Sequence, residues 1–333
     1  MLETIFVLIG TFVGAGFASG KEIFNFFTIY GYYGIISIII FSFLLFCLIY
    51  KCLKIKSIFK FNNYNEFIFY LENKYKFFNH KFFLFIINIF LASSFYIMIS
   101  AYSSLFSYQF SISKGLTISL CVFICFIIFY KKNIRFIYKI NSILMPVLIL
   151  FMVLLCLLNI SFNNIDFIYL NNNFNFLIPL FSGFLYFSYN SLLLIPIIFD
   201  LKTINGNKFF FKVSFIFTLI IFVITFFTNL LLLSFYNFIY NIELPILYIS
   251  NSSFKIFSYL YFFVVLSAIF TTMISSGFSF VSNLKSNKRN MKLIIFLFFS
   301  FLFCIFSFSD LINLFYPIFG FIGFFQIFFI FKE

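Results

Sequence analysis

Long apolar segments separated by short polar stretches run through the whole chain. A helix needs about 20 predominantly apolar residues to cross a bilayer, and segments of this kind recur from one end of the sequence to the other. The pattern predicts an all-α integral membrane protein with ten transmembrane helices. In chain order, spans 1 to 10 cover residues 4–28, 32–50, 82–107, 115–130, 140–160, 176–199, 213–235, 256–284, 293–308 and 311–331.

The composition supports a membrane protein and excludes two other classes. Of the 333 residues, 64% are hydrophobic and 9% are charged, whereas soluble domains carry about 25% charged residues. A disordered chain needs many charges and few apolar residues, so this class is excluded as well. No basic segment precedes span 1, and we therefore expect this span to stay in the bilayer as a helix instead of being removed as a signal peptide.

The basic residues predict the orientation of the spans, because Lys and Arg collect in the cytoplasmic loops of membrane proteins. With the N-terminus inside, 19 of the 22 basic residues fall on the cytoplasmic side, and only Lys21, Lys114 and Lys255 do not. We therefore expect both termini in the cytoplasm. The net charge of +13 then reflects topology and gives no reason to expect a nucleic-acid partner. The oligomeric state is not specified by the sequence.

The spans divide into two halves of five. The first half, residues 1–160, includes a cytoplasmic loop over residues 51–81, whose mixture of Lys, Glu, Phe and Tyr predicts an amphipathic interfacial segment. An extracytoplasmic connector rich in Asn, residues 161–175, leads to the second half, residues 176–333. Because five is an odd number, the two halves insert in opposite orientations, as an inverted repeat requires.

Span 1 contains a concentration of glycine. Four of the 12 glycines, Gly10, Gly14, Gly16 and Gly20, fall within eleven residues, although each Gly inside a helix costs about 1 kcal/mol relative to Ala. Close packing of helices through small residues is one explanation. The other is an unwound segment that lines a polar cavity. Span 1 alone does not distinguish them.

Span 6 has a comparable interruption at the start of the second half. It contains Ser182 and Gly183, then a polar cluster over residues 188–191, and Pro196. Interrupted segments at corresponding positions of two halves indicate a transporter with inverted repeats and a binding site at the bilayer midplane. This correspondence favours the unwound segment and predicts a five-plus-five inverted repeat in which helices 1 and 6 are both interrupted.

Spans 3 and 8 carry polar side chains among apolar ones. Serine and tyrosine recur at helical spacing along span 3, and residues 271–277 of span 8 contain four hydroxyls and a glycine. Hydroxyls that bond back to their own helix, or a packing face of small residues, explain these stripes as well as a polar cavity does. Tyr96 is the strongest candidate in span 3, because a buried tyrosine hydroxyl needs a partner, and Ser100 lies one turn further on.

Span 1 contains the stretch Gly10-Thr11-Phe12-Val13-Gly14-Ala15-Gly16-Phe17-Ala18-Ser19-Gly20-Lys21-Glu22-Ile23, followed by Phe26-Phe27. This stretch resembles the N-terminal signature of the YkvI-like family of bacterial membrane proteins, which is placed among the amino acid-polyamine-organocation transporters with the LeuT-type fold. The resemblance is weaker but collinear over the other spans, including Tyr189-Asn190-Ser191 and Thr271-Thr272. One departure is Lys21, where the family usually has Gln. The resemblance implies the plasma membrane of a bacterium.

The resemblance also implies a sodium site between spans 1 and 8. In sodium-coupled members of the superfamily, backbone carbonyls of span 1 and oxygens of span 8 bind Na⁺. The positions that match in this chain are the carbonyls of Gly10, Val13 and Ala268 and the hydroxyls of Thr271 and Thr272. Hard, uncharged oxygen ligands suit a small cation that must leave again. Na⁺ is therefore expected as the coupling ion, with no other cofactor.

A solute site next to the sodium site follows by the same analogy. In it the backbone of span 1 faces side chains of spans 6 and 3. Lys21 and Glu22 come just after the glycines, and we expect them to pair with each other, to form an outer gate or to be solvated, since charges inside spans are functional by default. The expected solute-binding residues are Ala15, Gly16, Phe17, Tyr96, Ser100, Ser182, Gly183, Tyr186 and Asn190.

These features together predict a secondary active transporter. It is expected to move an amino acid or a similar small organic solute by alternating access, coupled to Na⁺, and no nucleotide-binding loop accompanies the spans. The alternative is a membrane sensor or interaction protein of the same fold that does not transport, with loop 51–81 as its docking segment. An enzyme is disfavoured, because no span contains His and neither paired acids nor a nucleophile–base set is found.

Overall fold

The computed structural model describes residues 1–75, 80–131, 135–159, 175–201, 206–253, 255–283, 289–303 and 305–333. All regular elements in these ranges are helical, which confirms the predicted all-α class. The predicted connector over 161–175 lies outside the described residues except for its last position.

The described residues form fifteen α-helices, which we number in chain order. Their bounds are α1 Leu2–Phe12, α2 Ala15–Ser19, α3 Lys21–Phe26, α4 Tyr32–Phe59, α5 Tyr64–Lys74, α6 His80–Phe110, α7 Lys114–Lys131, α8 Arg135–Asn159, α9 Leu177–Asp200, α10 Asn207–Ser234, α11 Tyr236–Ile239, α12 Pro245–Ser253, α13 Lys255–Asn283, α14 Arg289–Phe303 and α15 Phe308–Lys332.

Six of these helices are long and apolar enough to cross a membrane, namely α4, α6, α9, α10, α13 and α15. Helices α7, α8 and α14 contain shorter apolar stretches. Long apolar helices of this number indicate a multi-pass membrane protein. Many Phe, Leu and Ile side chains on their outer faces are exposed, as expected where a helix meets lipid.

Span 1 is divided into three short helices, so its predicted interruption is confirmed. Helix α1 ends at Phe12, and Gly14 is extended with φ −90° and ψ −174° before α2 begins. Gly20 separates α2 from α3 and has φ +82°, a left-handed conformation that glycine adopts at little cost. A 3₁₀ turn over Thr28–Tyr30 follows α3.

Span 6 is not interrupted, and this part of the prediction is wrong. Helix α9 is continuous from Leu177 to Asp200, including Pro196. Two side chains of its polar cluster bond to carbonyls of the same helix: Asn190 Nδ2 donates to Tyr186 O at 2.9 Å and Ser191 Oγ to Ser188 O at 2.6 Å. Side chains can bond in this way without unwinding the helix.

Helix α9 lies at the centre of the packing that positions span 1. It packs most extensively against α15 and α4, and it also contacts α1 and α3. Its approach to α15 is close, because a Cβ on Gly323 would fall 2.6 Å from the carbonyl carbon of Ser188. Small residues thus bring the two backbones together.

The predicted loop 51–81 includes the end of α4 and the helix α5, which packs against the C-terminal end of α9. The rings of Phe67 and Phe199 stack with centroids 4.3 Å apart, and the Tyr64 amide donates to Asp200 Oδ1 at 2.9 Å. Lys56 donates to Phe199 O at 2.6 Å, and its ammonium also contacts the Leu201 carbonyl. A cation at the C-terminus of α9 is favoured by the helix dipole.

A buried carboxyl group at the broken span

The break between α1 and α2 exposes backbone polar groups. Within the described part of the chain, the carbonyls of Gly10 and Val13 and the amides of Ala15, Gly16 and Phe17 make no hydrogen bond to another backbone group. A Cβ on Gly14 would meet no atom within 4 Å, so there is open space beside the break. Free backbone groups next to space are what an unwound, cavity-lining segment requires.

Glu22 places its carboxyl group against this break. The residue is only 2% exposed, and its side chain folds back from α3 onto α2. A Cβ on Gly16 would lie 2.6 Å from both Cγ and Cδ of Glu22, so only glycine leaves room for this side chain. Tyr189 of α9 donates its hydroxyl to Glu22 Oε2 at 2.7 Å.

Two more tyrosines surround the same carboxyl group. Tyr186 and Tyr316 turn their hydroxyls toward Glu22. The Tyr316 ring stacks on Tyr189 with centroids 4.5 Å apart, and the Tyr186 ring meets Tyr189 edge-on at 5.6 Å. The ring of Phe26 closes one side, 5.3 Å from that of Tyr186. Residues from α3, α9 and α15 thus form one cluster, which we call the tyrosine cage (Glu22, Tyr186, Tyr189, Tyr316).

Two polar atoms at the cage have no hydrogen-bond partner among the described residues. They are the hydroxyl of Tyr186 and Oδ1 of Asn190, and both side chains are fully buried. A buried polar group without a partner is costly. Such atoms at the break in span 1 indicate a place where a further hydrogen-bonding group is accommodated.

The remaining predicted solute-binding residues of span 6 pack on α3 and α4. Ser182 Oγ donates to Phe26 O at 2.9 Å, which satisfies a carbonyl at the end of α3. A Cβ on Gly183 would meet the side chain of Ser37 and would lie 3.3 Å from the ring of Phe27. Of the α9 candidates, Tyr186 thus lies beside Glu22 and Gly16 at the cage, whereas Ser182 and Gly183 lie at the end of α3.

The predicted residues of span 3 face elsewhere. Tyr96 donates its hydroxyl to Phe296 O at 3.1 Å and stacks on Phe303 at 4.5 Å. Ser100 Oγ donates to Phe306 O at 3.3 Å. Tyr96 therefore has the partner that its burial requires, but that partner is on α14, and the structure does not bring these two side chains into the tyrosine cage.

Lys21 and Glu22 do not pair, contrary to one of the expectations from sequence. Lys21 Nζ donates to Ile242 O at 3.1 Å and lies 5.3 Å from the Phe24 ring, on the side away from the cage. Nearby, Ser104 of α6 hydrogen-bonds to Glu243. Lys21 is 5% exposed, so neither residue is solvated. Adjacent residues on a helix point about 100° apart, which accounts for the separation.

The predicted sodium ligands on α13 lie close together. The hydroxyls of Thr271 and Thr272 donate to Ala268 O at 3.1 and 2.8 Å, and Thr271 also bonds to Ser267 O at 2.9 Å. These bonds follow the helix-internal pattern that the sequence left as an alternative. The carbonyls of Gly10 in α1 and of Val13, which follows α1, make no hydrogen bond to another described backbone group. Such oxygen atoms suit Na⁺, and among the helices of span 1, α13 packs chiefly against α2.

A cavity of about 190 Å³ borders the cage between α3, α9 and α15. Asn25 and Asn313, hydrogen-bonded at 2.6 Å, line it together with Phe26. The Phe26 ring also packs against Tyr186 and Tyr189, with centroids 5.3 and 6.4 Å apart, so this ring stands between the cavity and the tyrosine cage.

Sequence reasoning missed the cage as a unit. Glu22 was noticed as an intramembrane charge, and that signal was sufficient to single it out. Tyr189 belongs to the polar cluster over residues 188–191, but nothing in the sequence pairs it with Glu22, and Tyr316 carries no signal among the 21 tyrosines. The short helices α11 and α12 were not predicted either; α12 contacts α2, where Ile246 packs against Gly20.

A comparison of the chain with protein-family models found no match, and neither did a search of curated proteins.

Proposed function

We propose that this protein is a secondary active transporter for an amino acid or a similar small organic solute, working by alternating access with Na⁺ as coupling ion. The observation that carries the proposal is the break in span 1, with its free backbone groups and buried polar side chains. Secondary transporters bind their solutes at such discontinuous helices. The resemblance of span 1 to the YkvI-like family supports the same function.

The architecture in this proposal is ten spans arranged as a five-plus-five inverted repeat, with both termini in the cytoplasm of a bacterium. Six described helices are long and apolar enough to cross a membrane, and the proposal adds α7, α8, α14 and the divided α1 to α3 as the remaining four spans. Helix α9, the first helix of the proposed second half, is continuous and packs against α1 and α3.

The solute is proposed to bind beside Gly14, between the backbone of α2 and the polar face of α9. Open space at Gly14 and the unpartnered atoms of Tyr186 and Asn190 supply room and hydrogen-bonding capacity. Na⁺ is proposed to bind the carbonyls of Gly10 and Val13 together with the oxygens on α13. In this scheme Na⁺ bridges α1 and α13 and so stabilises one of the conformations of the broken span 1.

The test is uptake into proteoliposomes. Purified protein is reconstituted and given a labelled mixture of the twenty protein amino acids, with an inward gradient of Na⁺ or of choline. We expect accumulation only with Na⁺. Replacing both Thr271 and Thr272 by Ala is expected to raise the Na⁺ concentration for half-maximal uptake by about tenfold or more, the equivalent of about 1.4 kcal/mol.

Ser267→Ala is the matched control, because its hydroxyl lies on the same helix and bonds only to Val264 O among the described residues. It should leave the Na⁺ dependence unchanged. Uptake that is equal in Na⁺ and choline argues against sodium coupling. Binding of an amino acid in a thermal-shift screen, without flux or counterflow, would instead identify a sensor of the same fold.

A further inference from the structure

We propose that Glu22 is a proton-binding site, whose carboxyl group takes up and releases one proton as span 1 changes conformation. The inference rests on the proposed transport function and adds a second ion to it. Protonation forms an O–H bond on one Glu22 oxygen and neutralises the charge, and release to water reverses the step. No electrons are transferred.

Within the described part of the chain, no cation lies against the Glu22 carboxyl group. The ammonium of Lys21 is bonded to Ile242 O on the other side of α3, and the ion pair found within the described residues, Lys74 with Glu333, belongs to α5 and α15. The titratable groups that face the carboxyl group are the three cage tyrosines. A carboxylate buried without a cation is expensive, and a proton is the simplest way to neutralise it.

The cage suits both protonation states of Glu22. Tyr189 donates to the carboxyl group in either state. A protonated carboxyl group needs an acceptor for its new O–H, and the buried Tyr186 hydroxyl lies beside it, with the Asn190 side chain also near that hydroxyl. A tyrosine hydroxyl can donate or accept, so Tyr186 can donate to the anion and accept from the acid.

The close fit of the carboxyl group favours a proton over a larger cation. The carbon atoms of the Glu22 side chain would lie 2.6 Å from a Cβ on Gly16, so the side chain is pressed against the α2 backbone. Aromatic rings cover the opposite side. A metal ion or an ammonium group needs several ångströms of space at the oxygens, whereas a proton needs none.

A route for the proton leads through the cavity between α3, α9 and α15. Polar side chains, Asn25 and Asn313, line this cavity together with Phe26. In the proposed topology the cavity is in the outer half of the protein. Water that enters it is separated from the cage by the Phe26 ring, which packs on Tyr186 and Tyr189.

Infrared spectroscopy of purified protein in lipid nanodiscs tests the site without any solute. Wild type is titrated between pH 4 and pH 10, and the C=O stretch of protonated carboxyl groups is followed. Glu22→Gln, which keeps the acceptor for Tyr189, is expected to lack one carboxyl band of the wild type. Glu72→Gln on α5 is the control and should keep that band. Identical band sets in wild type and Glu22→Gln would overturn the proposal.

Tyr189→Phe gives a second, milder variant. It removes the 2.7 Å hydrogen bond to Glu22, which stabilises the anion more than the acid. The Glu22 band is therefore expected to persist to higher pH than in the wild type. A midpoint that does not move, with the protein folded, would count against the proposed cage.

Transport assays distinguish a failure of the proposed proton site from a failure of the proposed transport function. In proteoliposomes with the labelled amino-acid mixture, a pH gradient is expected to change wild-type accumulation, while Glu22→Gln keeps counterflow but loses the response to pH. An unchanged pH response in Glu22→Gln would overturn the proton site and leave the transporter intact. If no variant transports, the proposed function fails, and the infrared bands still decide whether Glu22 binds the proton.

Discussion

The contact of Glu22 with Gly16 makes the substitution Gly16→Ala a sharp test of the break. A Cβ at this position would lie 2.6 Å from Cγ and Cδ of Glu22, far inside van der Waals contact. Glu22 must then move and lose its hydrogen bond from Tyr189. Overpacking costs about 1–3 kcal/mol, and loss of a hydrogen bond to a charged group about 1.5–3 kcal/mol.

The expected net destabilisation is smaller than the sum of these costs. Ala is favoured over Gly in a helix by about 1 kcal/mol, and Glu22 relieves part of the overlap when it moves. We therefore expect a loss of roughly 2–4 kcal/mol. At roughly 2 °C per kcal/mol, the thermal midpoint of the protein in detergent should fall by about 4–8 °C. Differential scanning fluorimetry is sufficient to measure this change.

Gly14→Ala is the matched control in the same break. Its backbone has φ −90° and ψ −174°, an extended conformation that alanine adopts without strain. The new methyl group meets no atom within 4 Å. Ala also restricts the unfolded chain, which stabilises by about 0.4–1 kcal/mol. The midpoint of this variant should stay within about 2 °C of the wild type or rise. Equal losses in both variants would refute the described placement of Glu22.

Three further predictions concern other parts of the molecule. Gly323→Ala should lower the thermal midpoint more than Gly16→Ala, because its Cβ meets the rigid backbone of α9, and the same fluorimetry measures it; a smaller effect would contradict the close approach of α9 and α15. Burial opposes ionisation of Glu333, but hydrogen bonds from Lys74 and two tyrosines outweigh it and hold its pKa below the usual range. The stability from this contact is therefore present above the unfolded pKa and is lost as pH falls through the lower folded pKa, so the protection of the α5 amides from hydrogen exchange, corrected for the intrinsic pH dependence of exchange, should fall on acidification; protection that does not change with pH would contradict this. A cysteine at Ser111 should react with an impermeant maleimide on whole cells and one at Lys60 only after permeabilisation; the reverse pattern would invert the proposed topology.

The break in span 1 could be predicted from the sequence because glycine acts locally. Gly14 and Gly20 lower helix propensity at their own positions, and Gly20 takes up the left-handed conformation that separates α2 from α3. The helical class and the apolar helices followed from hydropathy in the same way, since each span of about 20 apolar residues is a local pattern.

The continuity of α9 could not be predicted from composition alone. Ser188, Asn190 and Ser191 looked like an interruption, but whether a hydroxyl or amide faces a cavity or bonds to its own helix depends on rotamers. In the structure Asn190 and Ser191 bond to helix carbonyls. Proline is also tolerated in membrane helices, because neighbouring groups satisfy the carbonyl it leaves free.

The tyrosine cage depends on contacts that are distant in sequence. Glu22 and Tyr189 are separated by 167 positions, and Tyr316 comes from the last helix. No periodicity in one span indicates which side chain of another span it meets. The direction of Tyr96 toward α14 illustrates the same limit: sequence predicted that its hydroxyl needs a partner, and the packing of the helices determined which partner it has.

Labelling of a cysteine at Gly14 tests most directly whether the broken span is the solute-binding site. In a variant whose six native cysteines are replaced by alanine, Gly14→Cys should react with a small water-soluble thiosulfonate, and the amino-acid mixture with Na⁺ should slow the reaction. A cysteine at the fully buried Ser188 is the control and should stay unreactive. A Gly14→Cys variant that reacts no faster than the control, or that the amino acids do not protect, would contradict the proposed site.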